Sequence, residues 1–272
     1  MKRPRNPLWP AAALLVVGLG LGSDSHAVTE PTPPAPRVAL LIGNAAYPEA
    51  PLRNPLNDVR EVAAALKGLG FAVTARENLG SGEMREAMRQ FVLKTRGAEV
   101  RLFFFAGHGL QMRGRNYLLP VGTTIQNETH VVERTADATE LVEQLSAIEG
   151  GANLVIIDAC RVHPMFTTGS RRMWAARPGL SGLAAPSGTV VAFSTRPGQV
   201  ALDGDGPVSV YTRHLTQGFR QAPGLPVEAF FKRVRAGVVA ETRHRQVPWE
   251  SSDLNGELCF RPAANGQCAR EP

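Results

Sequence analysis

The chain is short of the features that mark several common protein classes. Its 272 residues hold three cysteines, too few for a disulfide-dense scaffold. Charged residues make up 20% and aromatics 6%, against 43% hydrophobic residues, a balance that excludes a disordered or low-complexity chain. The apolar stretch from Leu8 to Gly22 is too short and too rich in glycine for a comfortable membrane span. A Gly-rich loop ending in Lys is missing, so nucleotide binding has no support. No internal repeat recurs at a fixed period. Neither sign of charge dominates: 30 Lys and Arg against 24 Asp and Glu give +6, which allows an anionic partner without demanding one.

What is present begins with an address. Lys2, Arg3 and Arg5 precede the apolar stretch, and Ser25-His26-Ala27 sets small residues before Val28. This is the three-part layout of a secretory signal peptide over residues 1–27. The expectation is an exported protein, periplasmic or secreted, without stable membrane insertion after cleavage. An uncleaved anchor is the alternative. Loss of residues 1–27 removes Lys2, Arg3, Arg5 and Asp24 and leaves +4 over 245 residues, so the basic balance offers no case for nucleic acid. Residues 28–36 are Pro-rich and read as an extended linker. The domain is placed at 37–261, with a tail at 262–272.

Within that domain apolar runs alternate with helical spacing. Val38–Ile42, Phe71–Ala75, Val100–Phe105, Leu154–Ile157 and Thr189–Phe193 read as strands. Helical patterns fill 56–69, 84–92, 141–148, 209–220 and 226–242, and a last strand is expected at Glu257–Phe260. Strands alternating with helices imply an α/β fold with a mostly parallel central sheet flanked by helices. Ligands of such sheets bind beyond the carboxyl ends of the strands. The third strand is expected to stop at Ala106-Gly107-His108-Gly109, with His108 just past it. Cys160 is expected just past the fourth.

That places a thiol and an imidazole on one rim. A thiolate is a strong nucleophile but is scarce at neutral pH; a nearby imidazole can take the proton and later protonate the leaving amine. Singly, Cys160 reads as a small buried residue and His108 as a locally bonded loop histidine. Together, 52 positions apart, they match the caspase-type layout of a Cys motif with its His about 50 residues upstream. The Ala159-Cys160-Arg161 core matches that motif, while Asp158 and Val162 depart from it. The amides of Gly109 and Cys160 are the candidate oxyanion donors.

The wider sequence resembles the caspase-like cysteine peptidases, specifically bacterial relatives of metacaspases and paracaspases. RVALLIGNAAY over 37–47 resembles their first strand and loop. Leu52–Ala65 resembles their Asn-Asp segment, and the motif at Phe104 to Gly109 resembles their histidine motif. AFSTRPG over 192–198, which includes Ser194, resembles the substrate-lining strand, and QVPWESS over 246–252 a terminal segment of bacterial forms. The resemblance implies the caspase–hemoglobinase fold and a cysteine endopeptidase with a Cys160–His108 dyad. The rival readings are a catalytically silent caspase-like interaction module and a transpeptidase or ligase on the same fold.

Asp58 and Asp158 occupy positions whose acids line the first specificity pocket of the metacaspase-like and paracaspase-like relatives. Two carboxylates fit a cationic side chain, Arg best, because its planar fork meets a carboxylate in bidentate fashion. The expected partner is therefore a protein or peptide substrate with Arg, or second Lys, at P1. Asp203 near the position of a caspase pocket arginine agrees with this. The alternatives are a helix-start acid for Asp58 and a loop cap for Asp158. No cofactor is expected to be required. Calcium is raised by metacaspase relatives and by Asp203-Gly204-Asp205-Gly206, which lacks the other oxygen ligands of a recognised loop. Cys160, His163 and His108 form only a weak metal pattern. Residues 161–185 are a candidate self-cleavage segment, and Cys259 and Cys268 a candidate disulfide that would leave Cys160 the odd thiol. The oligomeric state is not legible.

Overall fold

The computed structural model describes residues 36–161, 176, 177, 180, 182–196, 199, 201, 205–221 and 223–269. The first strands are β1 (Arg37–Gly43), β2 (Ala72–Glu77) and β3 (Val100–Met112), with β6 (Ala152–Arg161) and β8 (Thr189–Phe193) completing the parallel part. They lie in the order β2-β1-β3-β6-β8, and antiparallel β9 (Trp249–Asp253) closes that edge. Short strands β4 (Arg115–Leu118), β5 (Ala136–Asp137) and β7 (Ala176–Arg177) extend the sheet beside β3.

The long apolar runs follow from burial on both faces. Leu41, Leu102, Phe104 and Ile156 pack against α1 (Pro55–Gly68), α5 (Val210–Gln221) and α6 (Val227–Glu241). Their neighbours Ile42, Phe103, Phe105 and Ile157 face α2 (Ser81–Lys94) and α4 (Ala138–Ser146). Alternate residues of one strand thus feed two cores, as a period of two requires. A third cluster joins Tyr47, Leu110, Tyr117 and Leu119 to Val131 of α3 (Glu128–Arg134).

Three sequence expectations are corrected. β3 does not stop before His108 but runs to Met112. Where β1 ends opposite Ala106, β4 takes over that side of β3 from Gly109 onward, so the ladder has partners on both sides. β6 likewise runs through Cys160 to Arg161, and both residues sit inside strands rather than after them. Residues 257–260 form no strand. Cys259 makes one isolated bridge to Pro226, while the Phe260 ring packs with Phe219 and Phe230 at 4.7 Å each. The edge strand is instead β9, whose Trp249 lies opposite Phe193 with ring centroids 5.7 Å apart. Cys259 and Cys268 are joined by a disulfide.

Candidate active site

The rim at the carboxyl ends of β1, β3, β6 and β8 gathers the candidate residues. In the β3–β6 ladder His108 pairs with Cys160, and Gly109 with Arg161. The backbone thus makes positions 108 and 160 cross-strand neighbours, although 51 residues lie between them in the chain.

The His108 side chain is 4% exposed and held from two sides. Its Nε2 lies 2.8 Å from the Ala50 carbonyl oxygen. A carbonyl only accepts, so Nε2 carries the hydrogen, and Nδ1 is the nitrogen with the lone pair in the neutral ring. The Tyr47 ring packs on the imidazole with centroids 4.4 Å apart. Its hydroxyl accepts from the His108 amide at 3.1 Å and donates to the Leu119 carbonyl at 2.8 Å, while Leu119 N–H donates to the His108 carbonyl at 2.9 Å. Tyr47 therefore stands in the place of one ladder bond between His108 and Leu119. Gly107 makes this possible: a Cβ there would lie 2.8 Å from the Tyr47 hydroxyl and 2.7 Å from the Phe105 ring.

The loop carrying Tyr47 and Ala50 is itself anchored. Asn44 is fully buried; its amide donates to the Leu119 carbonyl at 3.0 Å and its oxygen accepts from the Leu79 amide at 2.9 Å. The Asn78 side chain accepts from the amides of Ala45 and Ala46. Since the polar groups of His108 face Tyr47 and Leu119, strand alternation turns those of Gly109 toward β6. A Cβ at Gly109 would meet Leu180 and Ala159 at 3.2 and 3.3 Å.

Asp58, in the first turn of α1, and Asp158, two positions before Cys160, are both buried. The structure links them through one residue that the sequence did not single out. Ser209 N–H donates to Asp58 Oδ1 at 2.8 Å, and the Ser209 hydroxyl donates to Asp158 Oδ2 at 2.5 Å. The signal was its place: a serine opening the helical pattern at 209–220 is a favoured N-cap, and the structure starts α5 one residue later, at Val210. Beside them Tyr211 is pushed far above the ordinary phenol range, by burial first and the charge of Asp158 second.

Ser194 follows β8 and is 1% exposed. Its amide donates to the Ile157 carbonyl and its carbonyl accepts from Gln246 Nε2 at 2.8 Å. Its hydroxyl has no hydrogen-bond partner among the described residues. With Ile157, Ala159 and Thr195 it borders a cavity of about 10 Å³, the scale of one water. His163, Asp203 and Gly204, and most of the 161–185 segment, lie outside the described residues. Among the described residues no group of three His, Cys, Asp or Glu side chains is placed to hold a metal ion, and no helix is long and apolar enough to cross a membrane.

A family model described as the caspase domain matches residues 36–259. The chain belongs to the caspase domain family. The caspase domain is 31% identical over 144 residues to human mucosa-associated lymphoid tissue lymphoma translocation protein 1, an alignment covering 53% of this chain and 17% of that protein. It is 26% identical over 155 residues to rat caspase-1, covering 54% of this chain and 37% of that one. The chain thus spans well under half the length of the curated relatives it matches. Among solved structures, caspase-1 from Spodoptera frugiperda superposes with a TM-score of 0.63 at 21% identity, over 85% of this chain and 92% of that one. The caspase–hemoglobinase fold is therefore the fold of this domain, and its family is that of the caspase-like cysteine peptidases.

Proposed function

We propose that the chain is a cysteine endopeptidase cleaving after Arg, with Lys second. The observation that carries the reading is the cross-strand placement of His108 and Cys160 with the imidazole Nε2 committed to Ala50. In this reading His108 Nδ1 takes the Cys160 proton, and the thiolate attacks the scissile carbonyl. The amides of Gly109 and Cys160, the candidate oxyanion donors, would have to leave the β3–β6 ladder to receive the developing charge. The imidazolium then protonates the leaving amine, and the thioester is hydrolysed by water that His108 activates in turn. Asp58 and Asp158 face the cationic P1 side chain. Their joint tether to Ser209 supports this, since it brings two acids from distant segments to one place. No step of this scheme calls on a metal; calcium enters only as a condition to vary. The disulfide supports action in an oxidising, exported location.

The test uses purified protein, fluorogenic peptides differing only at P1, buffers with and without calcium, and the Cys160→Ala variant beside the wild type. P1-Arg should be cleaved fastest, and Cys160→Ala should lose at least about a thousandfold in rate, as removal of a nucleophile does. Faster cleavage after Asp would overturn the specificity. Absence of turnover together with absence of labelling by an Arg-chloromethylketone would leave the interaction-module reading instead.

A further inference from the structure

At Gly43 β1 ends and the chain leaves the sheet, so the amides that follow need acceptors other than a ladder. Those of Ala45 and Ala46 share one. Asn78 Oδ1 accepts from Ala45 N–H at 2.9 Å and from Ala46 N–H at 3.0 Å. Asn78 directly follows β2 and has a φ of 52°, in the left-handed region that asparagine tolerates better than most residues. Its own amide donates to the Gly43 carbonyl at 2.8 Å, so backbone and side chain grip the end of β1 together. The next residue returns the exchange, since Leu79 N–H donates to Asn44 Oδ1 at 2.9 Å. Beyond this grip the Ala45 carbonyl accepts from the Tyr47 amide at 2.9 Å and the Leu52 amide at 3.0 Å, which closes residues 45–52 into a tight loop. From that loop the Tyr47 hydroxyl and the Ala50 carbonyl hold His108.

We infer that Asn78 is a positioning residue for His108. It is assigned no contact with the imidazole or with a substrate; it presets the loop whose Tyr47 and Ala50 orient the ring. The inference rests on the Cys160–His108 reading. One side chain that satisfies two amides holds the loop in one conformation. Without that acceptor the amides turn to water and the loop gains alternatives. The imidazole then departs from its set orientation, and proton transfer depends on that orientation. Binding of P1 is assigned to Asp58 and Asp158, which α1 and β6 carry, so the loss belongs in kcat rather than KM.

The experiment measures kcat and KM for a P1-Arg peptide, and the pH dependence of Cys160 alkylation by iodoacetamide, which needs neither turnover nor a particular P1 residue. His108→Ala supplies the profile of the thiol without its imidazole, and the wild type should react at lower pH than this variant. Asn78→Gly keeps the left-handed backbone and removes only the acceptor. It should lower kcat about tenfold, the scale of the two hydrogen bonds, keep KM within about twofold, and move the alkylation profile toward that of His108→Ala. Asn78→Ser, whose hydroxyl is one bond short of the two amides, gives the same readout if the glycine variant folds poorly. Asn78→Asp keeps an acceptor oxygen in place and should restore both kcat and the profile. In a Tyr47→Phe background the effect of Asn78→Gly on kcat should shrink to less than about threefold, since residues that act through one another are not additive. If the wild type and His108→Ala are alkylated alike, the dyad reading falls and this inference with it. If they differ while Asn78→Gly keeps the wild-type kcat and profile, the positioning role is wrong and the dyad stands. A loss of kcat that Asn78→Asp does not restore, or a rise in KM alone, also overturns the role.

Discussion

Tyr211 shows how a single side chain records the electrostatics of the rim. It is 1% exposed in the first turn of α5, and its hydroxyl has no hydrogen-bond partner among the described residues. Burial holds its phenol neutral, and the nearby charge of Asp158 adds to that. The pKa is raised on folding, so the unfolded chain gives up this proton first. Stability from this group is complete below about pH 10, the unfolded value, and is lost as pH rises above it toward the folded value. One unit above the unfolded pKa the loss is about 1.4 kcal/mol. Tyr117, also raised by burial, contributes in the same direction. Tyr211→Phe should therefore match the wild type near pH 8, because it deletes a hydroxyl without a partner. It should lose less of its urea midpoint between pH 8 and pH 11. Equal losses in the two proteins would show that Tyr211 does not carry this dependence.

At the scale of elements, Arg101 joins pieces at the end of β3 opposite the rim. The residue is fully buried, and its guanidinium donates to the Thr95 carbonyl at 2.9 Å, the Gly150 carbonyl at 2.8 Å and Asn153 Oδ1 at 3.3 Å. Thr95 is the C-cap of α2, where a cation suits the negative end of the helix. Burial lowers its pKa but leaves a guanidinium charged at any ordinary pH. Arg101→Ala should cost about 2–4 kcal/mol in denaturant unfolding, from a cavity and from carbonyls stripped of their donor. Arg101→Lys should recover only part, because an ammonium lacks the planar fork. A wild-type midpoint in Arg101→Ala would rule out the clamp. The same element shows why the start of β3 is legible in the sequence and its end is not. A run buried on both faces is continuous and apolar, so Val100–Phe105 stood out. Gly107 and Gly109 looked like a stop, yet they are small because Tyr47 and Ala159 approach closely. The four residues of β4 and the polar Trp249–Asp253 of β9 carry little alternation, since they lie at margins of the sheet. The site divides the same way. His108 and Cys160 are legible because each ends an apolar run and lies in a recognisable motif, whereas their pairing in register comes from the order of β3 and β6 in the sheet. The Ala50 carbonyl was not, because a backbone oxygen has no residue type to read. The Ser209 link to Asp58 spans 151 positions and no local pattern encodes it.

Across the whole molecule, the candidate chemistry and the closure of the chain lie at different ends of the sheet. The rim residues sit at the carboxyl ends of β1, β3 and β6, whereas Arg37, which opens β1, donates to the Phe260 carbonyl at 2.5 Å. The C-terminal segment is held by Arg261 N–H to Pro223 O, Ala269 N–H to Gly224 O and the Cys259–Cys268 disulfide. This staple closes a short loop, with a sequence separation of 9. For a loop of that length the chain-entropy account gives roughly 2–3 kcal/mol. In a domain of this size that corresponds to a melting temperature lower by roughly 5–10 °C. Phe260 ties the segment to Phe219 and Phe230, so the loss falls on α5 and α6 rather than on the rim. The Cys259→Ser/Cys268→Ser double variant should therefore melt lower by that amount. Well below its melting point it should cleave a P1-Arg peptide with wild-type kcat/KM. Reductant should lower the wild-type melting temperature toward that of the variant and leave the variant unmoved, while activity in both persists, as the proposed role of Cys160 as a reduced thiol requires. An unchanged melting temperature would show that the packing of Phe260 alone holds the segment. Loss of kcat/KM in the folded variant would show that the two ends of the sheet are coupled.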